Sequence, residues 1–415
     1  MDIDKLAKRF QNCPCGRKHE SGVRAVHIAP GIVRDAGRLL KDGGFPRNIL
    51  LVADENTVAA AKGIFPALNG FSVRERIYKD KREPFMEDVD EIVRLSDGRD
   101  GILSVGSGTL NDICRLAAFR SGKAFAIFAT APSMDGFASK DAPIVKDGFK
   151  LSYPAAQPSV IIGDSEILAR APVRLKSAGF GDMMGKYTAL VDWQAARLLT
   201  GEYLCRNVYD MTFEAAERIF RMADGVTRDD PETAGHITEC LILTGMGMAF
   251  TGNSRPASGT EHIVSHFWDI TRLAAGEQPD FHGLQVGVAT LLISRLYNGA
   301  ARFERAARVK ERTDWDKVYA VYGARAGDIR RANSPSVMDE ILPGAIEKRW
   351  GEIRGHIKRY LDTDAIEAAM RAAGCPTDIA GIGITPRLCE AATEYHPYMR
   401  RRMTLARAMK AIEFA

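Results

Sequence analysis

The run Gly101-Ile102-Leu103-Ser104-Val105-Gly106-Ser107-Gly108-Thr109-Leu110-Asn111-Asp112 decides the fold. It opens as a short, largely apolar β-prone segment, turns through two glycines, and enters a helical pattern that continues from Thr109 to Phe119. Glycines at such a turn let the backbone approach an anion, and the helix start offers unpaired N–H groups and partial positive charge. That suits a pyrophosphate. The third glycine of the common dinucleotide fingerprint is absent, so a plain tight turn with a capped helix explains the same residues on local pattern.

The same texture extends on both sides. Apolar runs at 26–29, 48–53, 72–77, 101–105 and 124–128 alternate with helical stretches at 31–40, 56–64, 83–95 and 109–119. Strand–helix repeats of this length favour parallel strands with right-handed crossovers, hence a doubly wound sheet that takes ligands at the carboxyl ends of its strands. Beyond about Pro172 the texture becomes long amphipathic helices, at 175–199, 211–222, 234–250 and 284–297. The expected fold is an α/β N-terminal Rossmann-like parallel-sheet domain followed by an all-α C-terminal domain. The division is a terminal arm at 1–22, a nucleotide-binding domain at 23–168 and a helical metal and substrate domain at 169–415. The cleft between the two domains is the expected place for chemistry.

Composition narrows the class. The 415 residues are 46% apolar and 27% charged, the profile of a globular chain. Lys plus Arg number 57 against 53 acidic residues, and the surplus of +4 is spread along the chain, so no nucleic-acid surface is marked. No stretch approaches the ~18 apolar residues of a membrane span. The start, Met1-Asp2-Ile3-Asp4-Lys5, lacks the apolar core of a secretory signal. Seven scattered cysteines form no disulfide framework, and the expected location is the cytoplasm. Cys13-Pro14-Cys15-Gly16 with His19 offers three ligands at most, short of the four that structural zinc takes, and reads as a terminal arm.

Further residues carry chemistry. Asp54, just past the run ending Val52-Ala53, is of the type that accepts ribose hydroxyls, and equally of the type that caps a helix. Thr130-Ala131-Pro132-Ser133-Met134-Asp135-Gly136-Phe137-Ala138-Ser139 ends another apolar run; turn chemistry explains much of it, and its place at the same sheet edge favours a ligand role. Gly179-Phe180-Gly181-Asp182-Met183-Met184-Gly185-Lys186 sets a carboxylate and an ammonium four apart, a surface ion pair or a buried Asp in need of a cation. Glu261-His262-Ile263-Val264-Ser265-His266 places two imidazoles on one helical face, and His282 follows within 21 positions. One Asp and two or three His form the nitrogen-and-oxygen set of a catalytic divalent ion with a position left for substrate.

Taken in order, these motifs resemble the sn-glycerol-1-phosphate dehydrogenase family, within the iron-containing alcohol dehydrogenase and dehydroquinate synthase-like superfamily. The resemblance covers about residues 20 to 300. The cysteine-bearing arm and the length look like its bacterial branch. The resemblance implies NAD or NADP contacts at Asp54, at Gly106, Ser107, Gly108, Thr109 and Leu110, at Thr130, Ala131, Pro132 and Ser133, and at Ser139. It implies one divalent metal per subunit (zinc, nickel or iron) on Asp182, His262 and His282, with Asp135, Asp182 and His266 at the substrate. The implied reaction interconverts dihydroxyacetone phosphate and sn-glycerol 1-phosphate, with His266 or a water ordered by it as proton donor. Arg255 and Lys186 are candidates for the substrate phosphate. A cytoplasmic homodimer serving ether-lipid synthesis is also implied, without nucleic acid or a membrane span. The alternatives are a glycerol or other polyol dehydrogenase, a dehydroquinate synthase-like cyclase and, with less support, a non-catalytic nucleotide-binding protein.

Overall fold

The computed structural model describes residues 3–147, 149–311 and 313–415. Six parallel strands form one sheet: β1 (Ala25–Ala29), β2 (Asn48–Asp54), β3 (Ser72–Tyr78), β4 (Gly101–Gly106), β5 (Ala124–Ala129) and β8 (Val160–Asp164), in the spatial order β1-β8-β5-β4-β2-β3. Helices α2 (Ala36–Asp42), α3 (Glu55–Ala60), α4 (Ile64–Ala67), α5 (Met86–Leu95) and α6 (Gly108–Ser121) run between the strands. From β2 the chain steps to one side of the sheet and from β4 to the other. The switch point where the strand order reverses therefore lies between Asp54 and Gly106, at the carboxyl edge.

The strand sequences show why this sheet forms. Residues alternate between its two faces: Ile49, Leu51, Ala53, Leu103 and Val105 enter one core cluster, and Leu50, Val52 and Ile102 the other. Strands covered on both faces read as continuous apolar runs, and each fully buried Leu or Ile contributes about 1.5–3 kcal/mol. The second cluster does not stop at the sheet. It runs through Ile127 and Phe137 into Phe180, Met184 and Ile237 of the helical half, so the two halves share one packed core.

That half begins with α7 (Ser165–Ala169) and α8 (Val173–Thr200). It continues through α9 (Arg206–Phe220), α10 (Pro231–Thr251), α11 (Thr260–Ala274) and α12 (His282–Ala300) to shorter helices between 315 and 409. Two features depart from the expected layout. A two-stranded antiparallel pair, Ala306–Arg308 with Ile412–Phe414, sits inside the helical half and brings the last residues back beside 306–308. A hairpin, β6 (Asp141–Lys146) with β7 (Phe149–Pro154), rises between β5 and β8 at the edge where the site forms. The arm is not loose: α1 (Ile3–Phe10) lies on the helical half, with Phe10 buried against Phe250 and Arg9 paired to Glu214 of α9 at 3.1 Å.

Glycine sets the helix contact that matters most. A Cβ on Gly283 would overlap the Ala178 carbonyl, and one on Gly181 the Gly283 carbonyl. With no side chains between them, α8 and α12 approach backbone to backbone, which draws Asp182 on one helix toward His282 on the other.

Candidate active site

A cavity of about 370 Å³ opens between the carboxyl edge of the sheet and the helical half. Ser107, Ser133 and Asp135 reach it from the sheet side, and His262, His266 and His282 from the helices.

On the sheet side, Ser107 is the residue before α6 and makes no side-chain capping bond, so the first N–H groups of α6 keep their capacity for an incoming anion. Thr130 to Ser139 continues from β5 and is folded into a short 3-10 turn over Asp135–Ala138. Arg115, wholly buried on α6, anchors this turn by donating to the carbonyls of Gly136, Ser139 and Asp141. Asp54 lies at the end of β2, where its Oδ1 accepts from the Thr57 N–H at 2.8 Å while Thr57 Oγ1 accepts from the Asp54 N–H at 3.0 Å. The capping alternative is thus realised for one carboxylate oxygen.

On the helical side, the donor atoms of Asp182, His262 and His282 all lie within 4.8 Å of one another. Asp182 Oδ1 is 3.5 Å from His262 Nε2, and the rings of His262 and His282 are 5.2 Å apart between centroids. Asp182 is wholly buried and shared three ways. Lys186 Nζ donates to its Oδ1 at 2.7 Å, to Asp135 Oδ2 at 2.6 Å and to the Ala257 carbonyl at 3.0 Å. The Asp135 N–H donates to Asp182 Oδ2 at 3.0 Å. Burial alone would raise the Asp182 carboxyl, but Lys186 and His262 outweigh it and hold the group ionised. Asp135 shifts the other way, raised by burial and by the neighbouring Asp182 charge.

Glu261 orients the first histidine. Its Oε1 lies 2.7 Å from His262 Nδ1 and accepts from the Gly259 N–H at 2.6 Å, while Oε2 accepts from Thr188 Oγ1 at 2.7 Å. Behind it, Asp192 Oδ2 accepts from the Thr260 N–H at 2.6 Å and fixes the start of α11. A carboxylate on Nδ1 leaves Nε2 facing Asp182, the arrangement that points an imidazole at a cation. Burial pushes His282 down to about 4. The donor set fits a divalent ion: one carboxylate and two imidazoles, convergent, with an outer carboxylate behind one of them. Glu261→Gln is expected to weaken metal binding about 10–100-fold with the fold intact, read by titration against a competing chelator.

His266 lies one turn along α11 beside this set, its ring 5.5 Å from that of His282 and 6.2 Å from that of His262. Arg400 Nη2 donates to His266 Nδ1 at 2.6 Å. A guanidinium only donates, so the ring proton sits on Nε2. Burial and Arg400 push the imidazole well below its usual 6.5, and it is neutral. Arg400 is half-buried and lines the cavity, and its loss of solvent together with nearby Arg325 disfavours its charge.

Neither candidate for the substrate phosphate is available. Arg255 is buried, donates Nε to Glu202 Oε1 at 2.7 Å and gives Nη1 to the Met403 carbonyl at 2.6 Å. Lys186 is wholly buried between Asp135 and Asp182. Arg400 and Lys150 line the cavity instead, the latter on the hairpin strand β7 and 3.5 Å from Asp269. Nothing in the sequence singles out Arg400 from Arg401 and Arg402, and the hairpin that carries Lys150 was not expected.

A parallel sheet facing a helical half that gathers an Asp and two His defines a class, the iron-containing alcohol dehydrogenases, and the family model described as iron-containing alcohol dehydrogenase matches residues 27–172. A sulfoacetaldehyde reductase from Bifidobacterium kashiwanohense, solved with NAD+, shares this fold with a TM-score of 0.61 over 95% of this chain and 96% of that one, at 14% identity. A glycerol-1-phosphate dehydrogenase [NAD(P)+] from Halalkalibacterium halodurans is 36% identical over 72% of this chain and 77% of that protein. One from Methanothermobacter thermautotrophicus is 32% identical over 68% and 81%. The chain belongs to the glycerol-1-phosphate dehydrogenase family, a family of NAD(P)-linked, metal-dependent oxidoreductases. Among the described residues no helix is long and apolar enough to cross a membrane.

Proposed function

We propose that this protein interconverts dihydroxyacetone phosphate and sn-glycerol 1-phosphate with NAD(P)H. The observation that carries the reading is the convergence of Asp182, His262 and His282 within 4.8 Å beside a cavity whose other wall is the Ser107 turn. The family membership supports the substrate.

Asp182, His262 and His282 would hold the cation, and the Ser107–Thr109 turn with Thr130 to Ser133 would cradle the cofactor's phosphates. Asp54, Gly106, Leu110 and Ser139 belong to that proposed cofactor surface. When bound, the cation polarises the substrate's C2 oxygen and the nicotinamide supplies hydride. The side chains do the rest. Lys186 keeps Asp182 anionic and in place, and Asp135 orients a substrate hydroxyl. His266 presents Nε2–H to the oxygen that gains charge as hydride arrives. Being neutral, it stabilises that oxygen by hydrogen bonding and orders the water that delivers the proton, in place of surrendering a proton of its own. The arrangement also fixes one face of attack, hence the handedness of the product.

Arg400 is the proposed phosphate partner. Its charge is disfavoured where it lies, and a bound dianion offsets that cost while accepting charge-assisted hydrogen bonds. Arg400→Ala is expected to lower kcat/KM for dihydroxyacetone phosphate about 10–100-fold beyond its effect on unphosphorylated dihydroxyacetone, whose smaller loss reports the bond to His266. Equal losses on both substrates would show that Arg400 acts through His266 and not on the phosphate. His266→Ala is expected to keep its metal and lose about 10²-fold in kcat; wild-type turnover would remove His266 from the mechanism.

Initial rates of the metal-loaded protein with dihydroxyacetone phosphate and each reduced cofactor, followed by chiral analysis of the product, test the whole proposal. Absence of net NADH or NADPH oxidation would point to a cyclase. The choice among zinc, nickel and iron, the homodimer, the cytoplasmic location and the ether-lipid role remain parts of this proposal, supported by the family resemblance.

A further inference from the structure

A second cluster of ligands lies apart from the cavity. Cys13, Cys15 and His19 come from the arm and Cys205 from the residue that precedes α9, and their Sγ and Nε2 atoms all fall within 4.8 Å of one another. Cys15 Sγ is 3.1 Å from His19 Nε2, Cys205 Sγ is 3.5 Å from the same nitrogen, and Cys13 Sγ is 3.5 Å from Cys205 Sγ. The expectation of three ligands at most is thereby corrected: the fourth comes from 192 positions along the chain.

We infer that Cys13, Cys15, His19 and Cys205 form a structural zinc site that clamps the arm to the helical half. Zinc–sulfur and zinc–nitrogen bonds of about 2.3 and 2.0–2.1 Å in a tetrahedron require ligand–ligand edges of about 3.5–3.8 Å, close to the spacing seen. Three thiolates with one imidazole is a soft, closed set, with no position left for substrate, and it selects zinc over the hard cations.

The surroundings point the same way. His19 Nδ1 is 3.0 Å from the Phe250 carbonyl, an acceptor only, so the proton sits on Nδ1 and Nε2 turns its lone pair to the cluster. Tyr203 Oη donates to Cys15 Sγ and Asn207 Nδ2 donates to Cys13 Sγ, both at 3.3 Å, the outer bonds that thiolate ligands accept. Arg17 stacks on the Tyr203 ring at 3.6 Å and covers that side. Cys13, Cys15 and Cys205 are free of disulfides. Because the site is assembled from two parts of the chain, metal binding becomes part of folding the arm.

The test uses the full chain, purified under reducing conditions, with His282→Ala removing the other metal set. About one zinc per chain is expected by mass spectrometry of the metal, falling to near zero on adding Cys13→Ser or Cys205→Ser and unchanged by Cys389→Ser. Replacing zinc with cobalt should give thiolate-to-cobalt charge-transfer absorption, which the Asp/His/His set, having no sulfur, does not produce. His19→Cys should retain the metal as a four-cysteine site, which keeps the test decisive if the serine variants fold poorly. A cobalt-loaded protein without that absorption, a Cys13–Cys205 disulfide in the freshly purified chain, or metal loss in His19→Cys would each overturn the inference.

Discussion

His262→Ala is expected to strip the catalytic cation and to lower kcat/KM about 10³-fold or more, the scale of a lost Lewis acid. The zinc held by the arm should stay, so total metal falls by one equivalent per chain. His262 is the natural choice because it is tied from both sides, by Glu261 at Nδ1 and toward Asp182 at Nε2. Its loss leaves the buried Asp182 with Lys186 still in contact, so the fold has no reason to fail. Metal content and turnover measured on the same preparation check this; an active variant lacking that equivalent would end the metal-dependent reading.

Lys186→Met is expected to be the most destabilising single change at the site. It removes the one ammonium that answers Asp135 and Asp182, both buried, and leaves two carboxylates facing each other. Breaking a buried pair from one side costs about 3–5 kcal/mol. Thermal unfolding should show Tm lowered by about 3–6 °C. Added divalent cation should recover more stability in this variant than in the parent, since it restores positive charge to the same pocket; an unchanged Tm would show that Lys186 is not the counter-charge.

Much of this was legible in the chain because the relevant signals are local. Leu50 and Leu51 sit in a continuous apolar run, as strands buried on two faces must, and a glycine turn after such a run marks where the sheet meets its ligand. Asp182 is marked by the glycines that crowd its stretch and by Lys186 four residues on, and His262 with His282 by two imidazoles on one helical face with a third close behind in sequence. What local pattern does not carry is pairing across the chain. Arg255 reads as an available cation until Glu202, 53 positions earlier, claims it. Cys13 and Cys15 read as an incomplete pair until the turn before α9 supplies Cys205. Lys150 is unremarkable in sequence, and only the hairpin lifts it to the cavity. Arg400 is one of three consecutive arginines, and only the folded chain shows that it reaches His266 while Arg402 turns to the Ser258 carbonyl and Ser254.

The peptide N–H of Asp135 bonded to the second oxygen of Asp182 has a mechanical consequence. One carboxylate ties the turn that follows β5 to α8, the helix packed against the two that carry the imidazoles. Swinging the two lobes apart at this seam would break a hydrogen bond sealed from water, so the structure resists opening there. A shift of that turn would therefore reach Asp182, the proposed ligand of the ion, through a single shared side chain.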